Sequence, residues 1–71
     1  MKAQEWLAAY AAEIGAEAPD EDTMSELLEL AATAAHSSER IAAPIACFMA
    51  GRDGRSLAEL RAAADRVAEA E

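Results

Sequence analysis

Alanine supplies more than half of the apolar residues of this 71-residue chain, and no other feature constrains its fold as strongly. Alanine is the best helix former, but its side chain buries little surface. We therefore expect long stretches of helix around a thin core, with Trp6, Tyr10 and Phe48 as the only aromatic residues. A chain this short forms one domain, here residues 1–71, and a thin core is often completed by a second copy or a partner.

Apolar residues recur every three or four positions in the first half of the chain, which predicts two amphipathic helices. The stripe of the first helix consists of Trp6, Leu7, Tyr10, Ala11 and Ile14. Gly15 is suited to end this helix. The second helix is predicted over residues 23–37, capped by Thr23 with Glu26 or by Asp22. Its apolar arc of roughly 160° is wide enough for the centre of a bundle or for contact with a second chain.

Two further helices are predicted in the second half of the chain. Pro44 suits the beginning of a third helix over residues 43–52. Its inward side chains are expected to be Ile45, Phe48 and Met49, so that Phe48→Ala would unfold the domain. Residues 51–55 form a turn, after which Ser56 and Glu59 match a capping box that begins a fourth helix, reaching about residue 70. The stripe of that helix is Leu57, Leu60, Ala64 and Val67. The sequence thus predicts an all-α fold, a small four-helix array or bundle with short loops.

The net charge of −8 is distributed unevenly along the chain and limits the kinds of partner that the chain can bind. Residues 1–39 carry nine acids and one base, whereas residues 40–71 carry five of each. Phosphate backbones and anionic lipids repel such a chain, so we expect neither a nucleic acid nor a membrane partner. The N-terminus lacks the layout of a signal peptide, and the lone Cys47 cannot form an internal disulfide. We therefore expect a cytoplasmic domain.

No group of residues has the spacing that a catalytic or metal site requires. The single histidine and the single cysteine lie eleven residues apart, outside any known zinc-ligand pattern. Cys47, between Ala46 and Phe48, is better explained as a small buried apolar side chain than as a nucleophile. The acidic run 20–22 is better explained as a helix cap than as a calcium loop. We expect no metal, no cofactor and no enzymatic activity.

Four basic side chains are candidate binding residues. They are His36, Arg40, Arg52 and Arg55. His36 and Arg40 would share a helix face if the second helix continued that far, although helix capping and an acidic partner for Arg40 would explain them as well. Arg52 and Arg55 lie beside a helix N-terminus, which can attract an anion, although such a turn often has no further role.

Several segments, spread over nearly the whole chain, resemble one family. They are Trp6-Leu7, Leu27-Leu28-Glu29-Leu30-Ala31, Ala35-His36, Glu39-Arg40, Ala42-Ala43-Pro44 and residues 48–51. The family is a small domain of unknown function from high-GC bacteria. It is encoded beside, or fused to, a molybdenum cofactor guanylyltransferase, the enzyme that makes molybdopterin-guanine dinucleotide. The chain departs from the family at Ile41, where Pro is common, and at Ile45-Ala46-Cys47, where Leu-Thr-Thr is common. The resemblance implies a setting in molybdenum cofactor biosynthesis and no catalytic residue.

These observations together predict a non-enzymatic accessory or interaction domain. The resemblance implies the molybdenum cofactor guanylyltransferase as its protein partner. The wide apolar arc of the second helix favours a homodimer, formed through the second or the fourth helix. The alternative function is a small-molecule or anion-binding carrier that uses His36, Arg40 and the Arg52–Arg55 turn.

The first prediction concerns the fold and its independence of metal. The far-ultraviolet circular dichroism spectrum should be helical and should not change when a strong chelator is added, because the predicted helices need no ligand to form. A spectrum dominated by strand, or a loss of helix on chelation, would contradict it.

Overall fold

The computed structural model describes residues 1–70, which form four helices and no strand. The helices are α1 (Ala3–Ile14), α2 (Glu21–Ser37), α3 (Ala42–Asp53) and α4 (Leu57–Glu69). The prediction of a small all-α four-helix array is thus confirmed. Glu71, the last residue of the predicted domain, lies outside the described residues.

Helix α1 ends at Gly15, as the sequence predicts. Gly15 has a φ of 73°, in the left-handed region that an L side chain rarely adopts. This turn lets the Ala16 N–H donate to the Ala11 carbonyl at 2.8 Å, while the Gly15 N–H donates to the Ala12 carbonyl at 3.3 Å. The pair of bonds is a Schellman motif, which satisfies carbonyls that the helix end would otherwise leave unpaired.

Helix α2 begins two residues earlier than predicted, because a different side chain caps it. The Asp20 carboxylate, rather than Thr23 or Asp22, accepts a hydrogen bond from the Thr23 N–H at 2.8 Å. Hydrogen bonding to Thr23 lowers the pKa of Asp20 below its ordinary value of 3.8. Glu21 and Asp22 then occupy the first turn, where their charge complements the helix dipole.

Helix α3 also extends beyond its predicted range. It begins at Ala42, so that Pro44 lies within the first turn, where a missing N–H breaks no helical hydrogen bond. It continues through Gly51 and ends at Gly54, whose φ of 92° reverses the chain. The predicted turn over residues 51–55 is therefore shorter, and only its second glycine adopts the left-handed conformation.

The capping box of α4 is confirmed. The Ser56 hydroxyl accepts from the Glu59 N–H at 3.2 Å, and the Glu59 carboxylate accepts from the Ser56 N–H at 3.3 Å. Two N–H groups at the helix start are thereby satisfied by side chains, which determines the residue at which α4 begins.

Helix α2 is the centre of the array, which is one of the two arrangements that the width of its apolar arc allowed. Helices α3 and α4 both pack on α2, and these two contacts are the most extensive among residues 1–70. The buried apolar residues are Ala11, Leu30 and Ala50. Two of these three are alanines, so the core is as thin as the composition implies.

Helix α3 packs on α2 with the face opposite to the one that the sequence predicted. Ile45, Phe48 and Met49 were expected inside, but 59%, 62% and 65% of their surfaces are exposed. The inward face instead carries the smaller residues Ala43, Ala46, Cys47 and Ala50. The Cys47 thiol lies 3.7 Å from the Leu27 carbonyl oxygen of α2 and donates to it. Small side chains let α3 approach α2 closely, and this leaves the large ones outside. Phe48→Ala is therefore no longer expected to unfold the domain.

A charged cluster that no local sequence pattern predicts joins α4 to α2. The Arg61 guanidinium donates to both carboxylate oxygens of Glu26 at 3.1 Å and to Glu29 at 2.7 Å. These bonds raise the pKa of Arg61, with Glu26 as the main cause. Arg61, from residues 40–71 with their net charge of zero, thus binds two carboxylates of the acidic residues 1–39.

The Ser56 cap leads to a second prediction. Ser56→Ala should lower the free energy of unfolding by about 1 kcal/mol, because it removes an oxygen that accepts from the Glu59 N–H. The matched control is Ser25→Ala, at an exposed position inside α2, where alanine is the better helix former. Urea unfolding measures both variants. Equal stability of the wild-type protein and Ser56→Ala would show that the cap contributes nothing.

Candidate interaction surface

An open apolar groove lies between α3 and α4 on the surface of α2. Its volume is about 490 Å³, and residues of all three helices line it. Its apolar lining includes Leu30, Ala34, Ala50, Leu60, Ala64 and Val67. The groove exists because both outer helices contact α2 while alanines at the facing positions leave the space between them unfilled. We call it the α3–α4 groove.

One end of the α3–α4 groove is polar. Ser37 and Ser38 at the C-terminal end of α2 reach it, together with Asp53 at the end of α3 and Arg55 from the turn before α4. The two serine hydroxyls donate back to the carbonyls of Thr33 and Ala34, each at 2.6 Å. Helix α2 extends through Ser37, as far as predicted.

Arg55 and Asp53 form a two-pronged ion pair at that end. The Arg55 Nε lies 2.6 Å from Asp53 Oδ1, and the second guanidinium nitrogen lies 2.9 Å from Oδ2. Hydrogen bonds from Arg55 lower the pKa of Asp53 to about 2, and Asp53 raises the pKa of Arg55. The predicted anion-binding arginine is therefore already neutralised by a carboxylate two residues away.

The other three candidate binding residues do not line the groove. Arg52, in the last turn of α3, holds its guanidinium 5.4 Å from the centre of the Phe48 ring. His36 and Arg40 are both exposed, but α2 ends at Ser37, so they do not share a helix face. The structure thus does not gather the four residues into one site, and their role in binding stays a prediction.

Helix α1 also exposes most of its predicted apolar stripe. Trp6 and Tyr10 stack on each other with ring centres 5.0 Å apart, and both are about half exposed. Ile14 continues the same stripe and is also exposed. Leu7 alone from α1 lines a smaller cavity of about 210 Å³ that includes Leu27 and Cys47. The aromatic pair therefore contributes more to the surface than to the core.

The total surface of the chain is large for its size. It exposes 5576 Å², whereas a compact monomer of this mass exposes about 4,250 Å². Its radius of gyration is 12.9 Å, against roughly 11 Å for a compact chain of this length. The excess of about 1,300 Å² is larger than the roughly 800 Å² that each partner buries in a standard interface. Large apolar side chains such as Trp6, Ile45 and Phe48 are exposed on it, which is typical of an interaction site.

The described residues contain neither a membrane-spanning helix nor a group of metal ligands. Within residues 1–70, no helix has both the length and the apolar character to cross a membrane. In the same part of the chain, no three side chains of the His, Cys, Asp and Glu types are grouped so that they could hold a metal ion.

Comparison with known families identifies the chain only at a coarse level. The family model described as "Domain of unknown function (DUF6457)" matches residues 1–71. The chain belongs to this family. No curated protein and no solved structure matches it. The coarser part of the resemblance, a small domain of unknown function, is thus confirmed. Membership of DUF6457 assigns no activity, so the function has to be argued from the groove and the exposed apolar residues.

The Asp53–Arg55 pair leads to a third prediction. Nuclear magnetic resonance titration of the Asp53 carboxyl should give a midpoint near 2, and Arg55→Ala should return it toward 3.8. Because the folded pKa is lowered, the pair stabilises the fold above about pH 4, and this contribution disappears as the pH falls through the folded pKa. Arg52→Ala is the control and should leave the midpoint unchanged. A wild-type midpoint at the ordinary value would mean that Arg55 is free to bind an anion.

Proposed function

We propose that this chain is a non-enzymatic interaction domain that docks to a partner protein, and that the partner is the molybdenum cofactor guanylyltransferase. The observation that carries the docking role is the exposed apolar surface, above all the α3–α4 groove. The resemblance described above supports the identity of the partner. On this proposal the domain acts in the cytoplasm, which its unpaired Cys47 favours, and it acts as a homodimer, which its excess of exposed surface favours.

The α3–α4 groove suits an amphipathic helix of the partner. Helices commonly bind in apolar grooves through side chains at positions i, i+3 or i+4, and i+7. Leu60 and Ala64, which are partly exposed, would contact the middle of such a helix, and Val67, which is largely exposed, would lie against its edge. The serines and the Asp53–Arg55 pair at the polar end supply hydrogen-bonding groups where the bound helix would leave the groove.

The uneven charge of the chain supports a partner with a basic surface. The eight net negative charges belong to residues 1–39. Arg61 engages two of these acids from within the chain, namely Glu26 and Glu29. The remaining acids would attract a basic partner and speed its association at low ionic strength.

A second candidate function, a carrier of small molecules, is favoured by the size of the groove. A volume of about 490 Å³ lies within the range of ligand pockets. The ligand would be apolar rather than anionic, because Asp53 already holds Arg55. A carrier should retain a small apolar molecule when it is purified from its native cells, detectable by mass spectrometry, whereas a docking domain should be captured together with a protein.

The fourth prediction tests docking through the groove. Val67→Glu places a carboxylate at its apolar edge and should weaken binding to the purified guanylyltransferase by about tenfold or more, because a charge would be buried on docking. Val67 is largely exposed in the free chain, so the melting temperature should change little. Leu28→Glu, an equally exposed apolar position on α2 outside this groove, is the matched control and should bind like the wild type. Isothermal titration calorimetry measures all three.

The same measurement tests His36 and Arg40. Replacing both with alanine should leave the melting temperature nearly unchanged, because both are exposed, and should weaken binding to the guanylyltransferase. If this double variant binds at full strength while Val67→Glu does not, recognition is confined to the groove. If the wild-type domain does not bind the guanylyltransferase at all, the proposed partner is wrong.

A further inference from the structure

Helix α3 carries an exposed apolar face on the side away from α2. Ile41, immediately before the helix, is 73% exposed, and Ile45 and Phe48 are exposed to similar extents. Arg52 follows Phe48 and lies over its ring. We call these four residues the outer seam of α3. None of them lines the α3–α4 groove or the smaller cavity, so the outer seam is a separate surface.

The spacing within the outer seam is that of a helix-pairing surface. Successive members lie four, three and four residues apart, which is the spacing of the a and d positions in a coiled coil. Residues at this spacing stay on one side of a helix over three turns and can face a single neighbouring helix. Among residues 1–70 the helices that pack closely on α2 use other faces, and the outer seam is left exposed.

The charge distribution favours a second copy of the chain as that neighbour. Each copy carries a net charge of −8, so two copies repel each other wherever their acidic halves meet. The outer seam contains no carboxylate and lies within residues 40–71, whose net charge is zero. Two copies can therefore meet at α3 with little electrostatic cost, whereas contact through α2 would bring its carboxylates together.

Arg52 determines the relative direction of the two helices. In a parallel pair, Arg52 would face Arg52 of the second copy, and like charges would meet across the seam. In an antiparallel pair, Ile45 lies opposite Phe48 of the second copy, and Ile41 lies opposite its Arg52. The aliphatic part of the arginine can then cover Ile41 while its guanidinium stays in water at the edge.

We infer that the outer seam of α3 is the twofold interface of a homodimer, in which two α3 helices pack antiparallel. This inference rests on the proposed self-association but moves the interface from α2 or α4, the helices that the sequence favoured, to α3. The exposed side chains of the outer seam contribute to the roughly 1,300 Å² by which the surface of each chain exceeds that of a compact monomer of its mass. The α3–α4 groove stays open in this arrangement, so the dimer can still bind its partner.

Sedimentation equilibrium of the full chain tests the interface. Phe48→Glu should raise the dimer dissociation constant by about 30-fold or more, because it places a carboxylate in the centre of the seam on both copies. Phe48→Leu, which keeps the side chain apolar, should still dimerise. Val67→Glu and Leu28→Glu, on α4 and α2, are the controls and should dimerise like the wild type. Circular dichroism should show unchanged helix content in all four, since each altered side chain is largely exposed.

Cysteine cross-linking tests the antiparallel direction. Cys47→Ala removes the native thiol from both partners, and a tag distinguishes a chain carrying Ile45→Cys from one carrying Phe48→Cys. On mild oxidation of the mixture, disulfides should form mainly between unlike chains, because Ile45 lies opposite Phe48 in an antiparallel pair. Disulfides mainly between like chains would indicate a parallel pair and overturn the inferred direction.

The outcomes separate this inference from the proposed function. If the wild type dimerises and Phe48→Glu dimerises equally well, the outer seam is not the interface, while the proposed homodimer stands. Loss of the dimer in Val67→Glu or Leu28→Glu alone would assign the interface to α4 or α2. If the wild type is a monomer at 100 times the concentration used for partner binding, both the homodimer and the outer-seam interface are wrong. Docking to the guanylyltransferase is tested separately, by the calorimetric titration described above.

Discussion

The close packing of small side chains against α2 is the constraint on which the rest of this structure depends. Ala46, Cys47 and Ala50 of α3 face α2, and the Cys47 thiol reaches the carbonyl of Leu27. Such packing brings the helix axes together but buries little apolar surface per residue. The larger side chains of α3 consequently lie outside, where they form a surface suited to pairing instead of a core.

Three of the five arginines of residues 40–71 have partners within the chain, and this shapes the charge of the whole domain. Arg61 binds Glu26 and Glu29, Arg55 binds Asp53, and Arg52 lies on Phe48. Arg61 is the member of this group that reaches the acidic half, where it helps to hold α4 on α2. Most of the negative charge of residues 1–39 therefore stays uncompensated and available to a basic partner.

Helix α3 connects the two surfaces proposed here. Its inner side contributes Ala46 and Ala50 to the α3–α4 groove, and its outer side carries the seam of Ile41, Ile45 and Phe48. Met49 lies between the two, exposed and at the edge of the groove. Pairing of two α3 helices would fix the outer wall of the groove in each copy. A dimer of this kind would present two grooves with a constant geometry, which favours binding by reducing the motion lost when a partner docks.

The sequence by itself determined the four helices, the stop at Gly15 and the capping box of Ser56, because these depend on residues close together in the chain. The wide apolar arc of α2 allowed either a central position or contact with a second chain, and only the packing of α3 and α4 on α2 showed that it is central. The inward face of α3 was decided only by tertiary structure. Helix α3 is apolar on both sides, so the periodicity of its sequence allows either Ala46 and Ala50 or Ile45 and Phe48 to face inward. The close packing against α2 places the smaller pair inside. The Arg61 cluster and the α3–α4 groove could not be predicted from the sequence either. Both join residues of different helices, and no local pattern encodes the relative positions of helices.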